Sequence, residues 1–191
     1  MNTQIEAVEK SAVANHPESI AQPGQYLTFL LGGEAFAIGI LNIKEIIDYG
    51  EVTEVPMMPE FIRGVINLRG RVVPVVDLAS RFGRGSTQIA KRTGIVIVET
   101  SGAHDDMEEA QQDIGIIVDA VNEVVDINGQ DIEPAPAFGA RIRPDFINGM
   151  AKRDGHFIIL LNVNRVLSVD EMAGLSKIAV ENYHIGGTES G

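Results

Sequence analysis

Chemistry in a folded chain needs converging polar side chains, and this sequence offers three places to look. The first is its histidines, His16, His104, His156 and His184. Two fall in or near the ends of the chain, one in an acidic stretch and one in a hairpin turn, and none has metal-ligand spacing. The second is Gly83-Arg84-Gly85-Ser86. It resembles a phosphate loop only superficially, because it lacks the lysine and a following helix. The third is Thr100–Asp113, TSGAHDDMEEAQQD. Its carboxylates could bind a cation, but no spacing matches a calcium loop, so it reads as a long exposed loop. There is no G-x-S-x-G elbow either. No residue set asks for catalysis, a metal or a cofactor.

The sequence is organised instead around a repeated strand pattern. Pro59–Leu78, PEFIRGVINLRGRVVPVVDL, holds two β-branched-rich runs on either side of Arg69-Gly70-Arg71. It reads as a β-hairpin whose turn carries two cations. Pro74 removes a ladder donor, which predicts an edge strand or a bulge. Asp77 is placed to cap a short helical turn over Leu78–Phe82, with Gly83 as its left-handed stop. Pro144–Val163, PDFINGMAKRDGHFIILLNV, repeats the pattern with Asp154-Gly155 as the turn. Upstream, Glu45-Ile46-Ile47-Asp48 matches Glu123-Val124-Val125-Asp126, and Tyr26–Leu31 and Thr93–Val98 are both strand-like. The repeat is too long for a solenoid period and argues for two similar small β units.

The 191 residues suffice for one large or two small domains. The 45% hydrophobic content includes no Trp, so Val, Ile and Leu must build the core. A net charge of −12 disfavours nucleic acid and anionic membrane surfaces. Without cysteine, disulfides, thiol catalysis and zinc–thiolate sites are excluded. The N-terminus lacks signal-peptide features, and no apolar run approaches the ~18 residues of a membrane span. A soluble, cytosolic protein is expected. Residues 1–24 read as a flexible tail, 83–91 as a Gly/Ser/Thr-rich linker between copies at about 25–82 and 93–167, and the residues after 174 as a helix end and tail. Ser168, with Glu171, reads as the capping box of a C-terminal helix. The Pro56–Pro59 loop either packs on its own barrel or meets a partner.

With the hairpin laid out, GVINLRGRVVPVVDL resembles the signature of the chemotaxis coupling protein family, CheW. FAIGILNIKEII, IGIIVDAVNEVVDI, IEPAPAF and INGMAKRDGHFIILLNV resemble the family's other blocks in the same order, from about Gln25 to Gly174. The resemblance implies a mainly β protein with two SH3-like five-stranded β-barrel subdomains, short helices and a C-terminal helix. It implies a stand-alone, non-catalytic adaptor at the inner face of the membrane, within receptor arrays. Its partners would be the cytoplasmic tips of methyl-accepting chemoreceptors and the regulatory domain of the histidine kinase CheA. An alternative is an adaptor for a related pathway whose output is not flagellar motility. The longer acidic loop, the extended N-terminal tail and Glu133, where some members carry a basic residue, depart from the family pattern.

On that resemblance a receptor helix docks between the barrels against Ile43, Glu45, Arg69, Gly115 and Val121. Ile43 and Val121 fall in the matching EhhD region of each copy, and their alternative role is ordinary core. Arg69 offers a planar fork to a helix, or is a solvated turn cation. Gly115 would let a helix approach closely. Phe138, held out by Pro134 to Pro136, together with Met57 and Met58, is expected at the kinase contact; Phe138 has burial under its own loop as the alternative. An enzyme borrowing the barrels, or a nucleic-acid-binding barrel, are the competing classes, and a salt-dependent gel shift separates the latter.

Overall fold

The computed structural model describes residues 21–102, 110–135 and 142–168. Phe138 and most of the stretches expected to form an N-terminal tail, the centre of an acidic loop and a C-terminal helix beyond Ser168 lie outside them. The described chain is mainly β. In order it runs β1 (Gly24–Leu31), β2 (Glu34–Gly39), a 3-10 turn (Ile40–Asn42), β3 (Ile43–Asp48), β4 (Ile62–Leu68), β5 (Arg71–Asp77), α1 (Leu78–Arg81), β6 (Gly94–Gly102), β7 (Ala110–Val118), β8 (Ala120–Ile127), β9 (Ile132–Glu133), β10 (Ile147–Arg153), β11 (His156–Leu161) and α2 (Val163–Val166). Among the described residues, no helix is long and apolar enough to cross a membrane.

The strands form two sheets, ordered β8-β1-β2-β11-β10-β9 and β3-β6-β7-β5-β4. The two sequence copies are therefore not the two sheets. Each copy keeps its later strands and lends its first hairpin to the other. β1 pairs antiparallel with β8 just as β6 pairs with β3, and β2 runs parallel to β11 just as β7 runs parallel to β5. A strand's residue pattern encodes which face is buried, not which strand is its neighbour, so the exchange is invisible in the repeat.

Each sheet also closes on itself. Thr53, beyond β3, exchanges both backbone hydrogen bonds with Val65 of β4 at 2.9 Å, and β9 follows β8 through one turn to pair with β10. The repeated glycine of the P-acid-FI-x-G pattern stands at these closures. A Cβ on Gly64 would lie 2.0 Å from the Thr53 carbonyl oxygen, and one on Gly149 would lie 2.9 Å from Ile132 Cγ2. Closure leaves few free strand edges, which agrees with two small barrels.

Alternation along the exchanged strands builds three cores. Ile95, Ile97 and Ile117 point inward with Val73 and Val75, while Tyr26, Ala37, Val125 and Leu160 fill the other barrel. The opposite faces of the exchanged hairpins meet between the sheets, where Leu27, Phe29, Phe36, Ile38, Val96, Val98, Ile114 and Ile116 form the largest cluster. A chain of rings, Phe29, Phe36, Phe82 and Phe146, crosses it at 6.1, 5.8 and 6.0 Å between centroids.

Three sequence expectations meet the structure differently. Asp77 does cap α1, accepting from the Ser80 amide at 3.4 Å, and Gly83 follows with φ +74°. Pro74 lies on β5, an interior strand. Its missing donor costs no ladder bond to β7, because that pairing begins only at Val75 opposite Gly115. The acidic loop is shorter than read: Thr100 to Gly102 and Ala110 to Asp113 are paired strand residues, Thr100 being buried. Polar residues continue a hairpin ladder wherever its arms reach solvent, so the end of the apolar pattern was not the end of the strand.

Asp77 does more than cap. Its buried carboxylate also accepts from the Thr87 amide at 2.7 Å, the Thr87 hydroxyl at 2.7 Å and Arg63 Nη2 at 3.1 Å, tying the linker and β4 to α1. Asp77→Ala strands the Arg63 guanidinium and the Thr87 donors, so it should cost about 3 kcal/mol. Urea unfolding checks this, and an unchanged midpoint would show that the carboxylate organises nothing.

Candidate functional site

Among the described residues, no group of three His, Asp or Glu side chains could hold a metal ion. What the two halves place together is an apolar wall on each of two edge strands. Ile43 lies opposite Val98 and Ile46 opposite Val96, both residues of the central cluster, so both isoleucines face the gap between the sheets. Val121 lies opposite Phe29 and Val124 opposite Leu27, and face the same gap from β8. Ile43 and Val121 are half-buried against the cluster, while Ile46 and Val124 are each 46% exposed. A Cβ on Gly94 of β6 would come 3.6 Å from Val121 Cγ2, which sets β8 beside the β3 side of the other sheet. Ile43, Ile46, Val121 and Val124 thus turn two apolar pairs toward the space between the sheets, the candidate docking groove.

Residues three apart in an unbroken strand point to opposite faces. Here each strand carries one extra residue. Ile43 and Glu45 face successive residues of β6, and Val121 and Val124 face Phe29 and Leu27, only two apart. These equivalent β-bulges turn each pair to one side.

Charged side chains pair across the sheet of β3 to β7 and the β4–β5 turn. Arg69 Nη2 donates to Glu45 Oε1 at 2.8 Å. Arg69 sits at φ +52° and Gly70 at +81°, and the Asn67 side chain accepts from the Gly70 amide at 2.9 Å. Two successive positive φ angles suit a two-residue hairpin with the strands' own twist. Behind this pair, Lys44 Nζ bonds Glu99 and lies 2.8 Å from Asp113 Oδ1, while Arg71 Nη2 lies 2.7 Å from Asp113 Oδ2. Lys44, Glu99, Asp113 and Arg71 come from β3, β6, β7 and β5, four neighbours in the sheet. The Lys44 ammonium, aided by Arg71, holds the Asp113 carboxyl below the usual carboxylate range, against the effect of burial. Asp113 in turn, with Glu99, raises Lys44 above the usual lysine range.

Of the expected receptor residues, Ile43 and Val121 both pack against the central cluster, and Glu45 and Arg69 form an ion pair. Gly115 does not join them. It is buried in β7, and its Cβ would strike Ile95 Cγ2 at 2.8 Å inside the barrel, so its bare backbone makes room for core side chains and not for an outside helix. Met57 and Met58 are exposed on the loop after β3, with Met57 at φ +65°. Phe138 lies outside the described residues. Ile46, Val124 and Asp113 were missed. The first two stand 78 residues apart, as Ile43 and Val121 do, so the repeat itself carried their signal.

The CheW-like domain model matches residues 25–171, most of the chain. The chain belongs to the CheW family. Among its relatives, the chemotaxis protein CheW of Klebsiella aerogenes is 34% identical over 162 residues, 85% of this chain and 91% of that protein. That of Helicobacter pylori is 30% identical over 166 residues, 87% and 94% of the respective chains. The crystal structure of the scaffolding protein TtCheW from Thermoanaerobacter tengcongensis superposes with a TM-score of 0.67 at 35% identity, covering 82% of this chain and 95% of that one.

The depressed Asp113 carboxyl has a pH consequence with a definite sign. As pH falls from the ordinary carboxylate value of 3.8, the unfolded chain takes up the proton first. The bridge's contribution is complete above that pH and is lost as pH falls through the lowered folded value. Urea unfolding from about pH 5 to about pH 2 should therefore show a shallower acid loss for Asp113→Asn than for the native chain; equal slopes would contradict the bridge.

Proposed function

We propose that this chain is a non-catalytic chemotaxis adaptor that couples the cytoplasmic tips of chemoreceptors to the regulatory domain of the histidine kinase CheA. It would act in the cytoplasm, at the inner face of the membrane, as part of the receptor array. One observation carries this reading: equivalent bulges in two edge strands, one from each half, turn an apolar pair of each, Ile43 with Ile46 and Val121 with Val124, toward the space between the sheets. A receptor tip is a helical hairpin, and an amphipathic helix buries its apolar face in an apolar groove while its polar flanks meet charges. Arg69, 76% exposed, and Glu45 supply those charges of both signs. The kinase contact is assigned to Met57 and Met58, exposed on the loop after β3, together with Phe138, because adaptable and aromatic side chains make efficient anchors.

Arg69→His tests the receptor assignment. Histidine tolerates a left-handed backbone better than most residues, so the turn survives. The exposed pair with Glu45 contributes at most about 1 kcal/mol, so folding survives too. Receptor-tip affinity should fall by about 1–3 kcal/mol, as for an interface hot spot, with CheA affinity unchanged. If CheA binding collapses while receptor binding holds, the hairpin turn belongs to the kinase interface.

A further inference from the structure

The groove exists only while both bulges hold, and each is held by a different device. In β8 the extra residue lies between Val121 and Val124, and Thr28 of β1 stands across from it. Thr28 is buried, its Oγ1 donating to the Glu123 carbonyl at 2.8 Å and accepting from the Glu123 amide at 3.2 Å. A hydroxyl is the smallest group that both donates and accepts, so it satisfies the two backbone groups that a bulge removes from the ladder. In β3 the extra residue is Lys44, and its ammonium is tied to Glu99 of β6 and Asp113 of β7. That reach across two neighbouring strands leaves the bulge one place to be. The two bulges occupy equivalent points of the two halves, but a side-chain-to-backbone clasp holds one and an ion bridge the other.

We propose that Thr28 and Lys44 are positioning residues for the docking groove, each fixing the strand register that turns one apolar pair toward the partner helix. Neither side chain touches the helix. A one-residue slip of β8 would carry Val124 to the far face while leaving Val121 in place, and a slip of β3 would do the same to Ile46 relative to Ile43. The role rests on the reading of the groove as the receptor surface. It accounts for a buried threonine on a strand whose other inward positions are apolar.

Thr28→Val keeps the shape and removes both hydrogen bonds, and Lys44→Met keeps the stem and removes the charge. Each variant is titrated with a soluble helical-hairpin fragment of a chemoreceptor tip and, separately, with the CheA regulatory domain. Tip affinity should fall about tenfold for each variant through lost preorganisation, with CheA affinity unchanged, and Thr28→Ser should restore it. A purely structural threonine would lower melting without moving the affinity of the folded chain. In the free protein, the Glu123 amide should exchange faster in Thr28→Val than in the native chain. Native tip affinity in both variants overturns the proposal, as does an equal loss toward tip and kinase. If the native chain itself binds no tip, the receptor reading fails instead. Glu123 exchange then decides separately whether Thr28 holds the bulge, and unchanged exchange overturns that part.

Discussion

Each barrel is completed by a hairpin that the other half of the chain supplies. This exchange is the constraint from which the rest of the structure follows. β1 and β2 are hydrogen-bonded into the sheet of β8 to β11, and β6 and β7 into that of β3 to β5. Because the exchanged strands alternate, one face of each fills a barrel and the other faces the opposite sheet. The largest apolar cluster therefore lies between the barrels and not within either. Two domains that merely touched would slide or hinge at their interface. Here the interface is a core, crossed by a line of four phenylalanine rings, and the groove beside it inherits that rigidity.

The exchange also decides where strand edges appear. β3 and β8 border the exchanged strands β6 and β1 on the same side of the shared core. They are exposed edges that could pair with a foreign strand, and bulges and flanking charges discourage it. Lys44 and Asp48 stand on one, Glu123 and Asp126 on the other, all exposed. What remains available is the apolar side-chain surface, which suits a helix better than a strand. The ion pairs of Lys44 and Glu45 leave that surface apolar while placing charge at its border, so one short stretch of β3 serves the fold, the bulge and the rim.

Local features were legible in the sequence. Arg69-Gly70 and Asp154-Gly155 announce tight turns, and both take the positive φ angles that such turns need. Asp77 announces a helix cap, and the repeat announces two similar units. Hidden features were those set by strand partners. Nothing in Tyr26 to Leu31 tells that it will pair with β8, nor does Gly115 reveal that it opens inward against Ile95. A bulge adds a residue without changing composition, so Ile46 and Val124 looked like ordinary alternation. Asp113 read as loop because its neighbours are polar, although Lys44 and Arg71 arrive from strands far off in sequence.

Isotope-labelled Ile and Val methyl groups, followed by NMR as a chemoreceptor-tip fragment is added, test the groove most directly. The expected result is that Ile43, Ile46, Val121 and Val124 shift together and saturate together, with contacts to one face of the added helix. Val72, exposed on the hairpin beyond Arg69 and off the groove, should not move. A shift at Val72 with the four groove methyls silent would place the receptor on the hairpin and contradict the groove as its docking site.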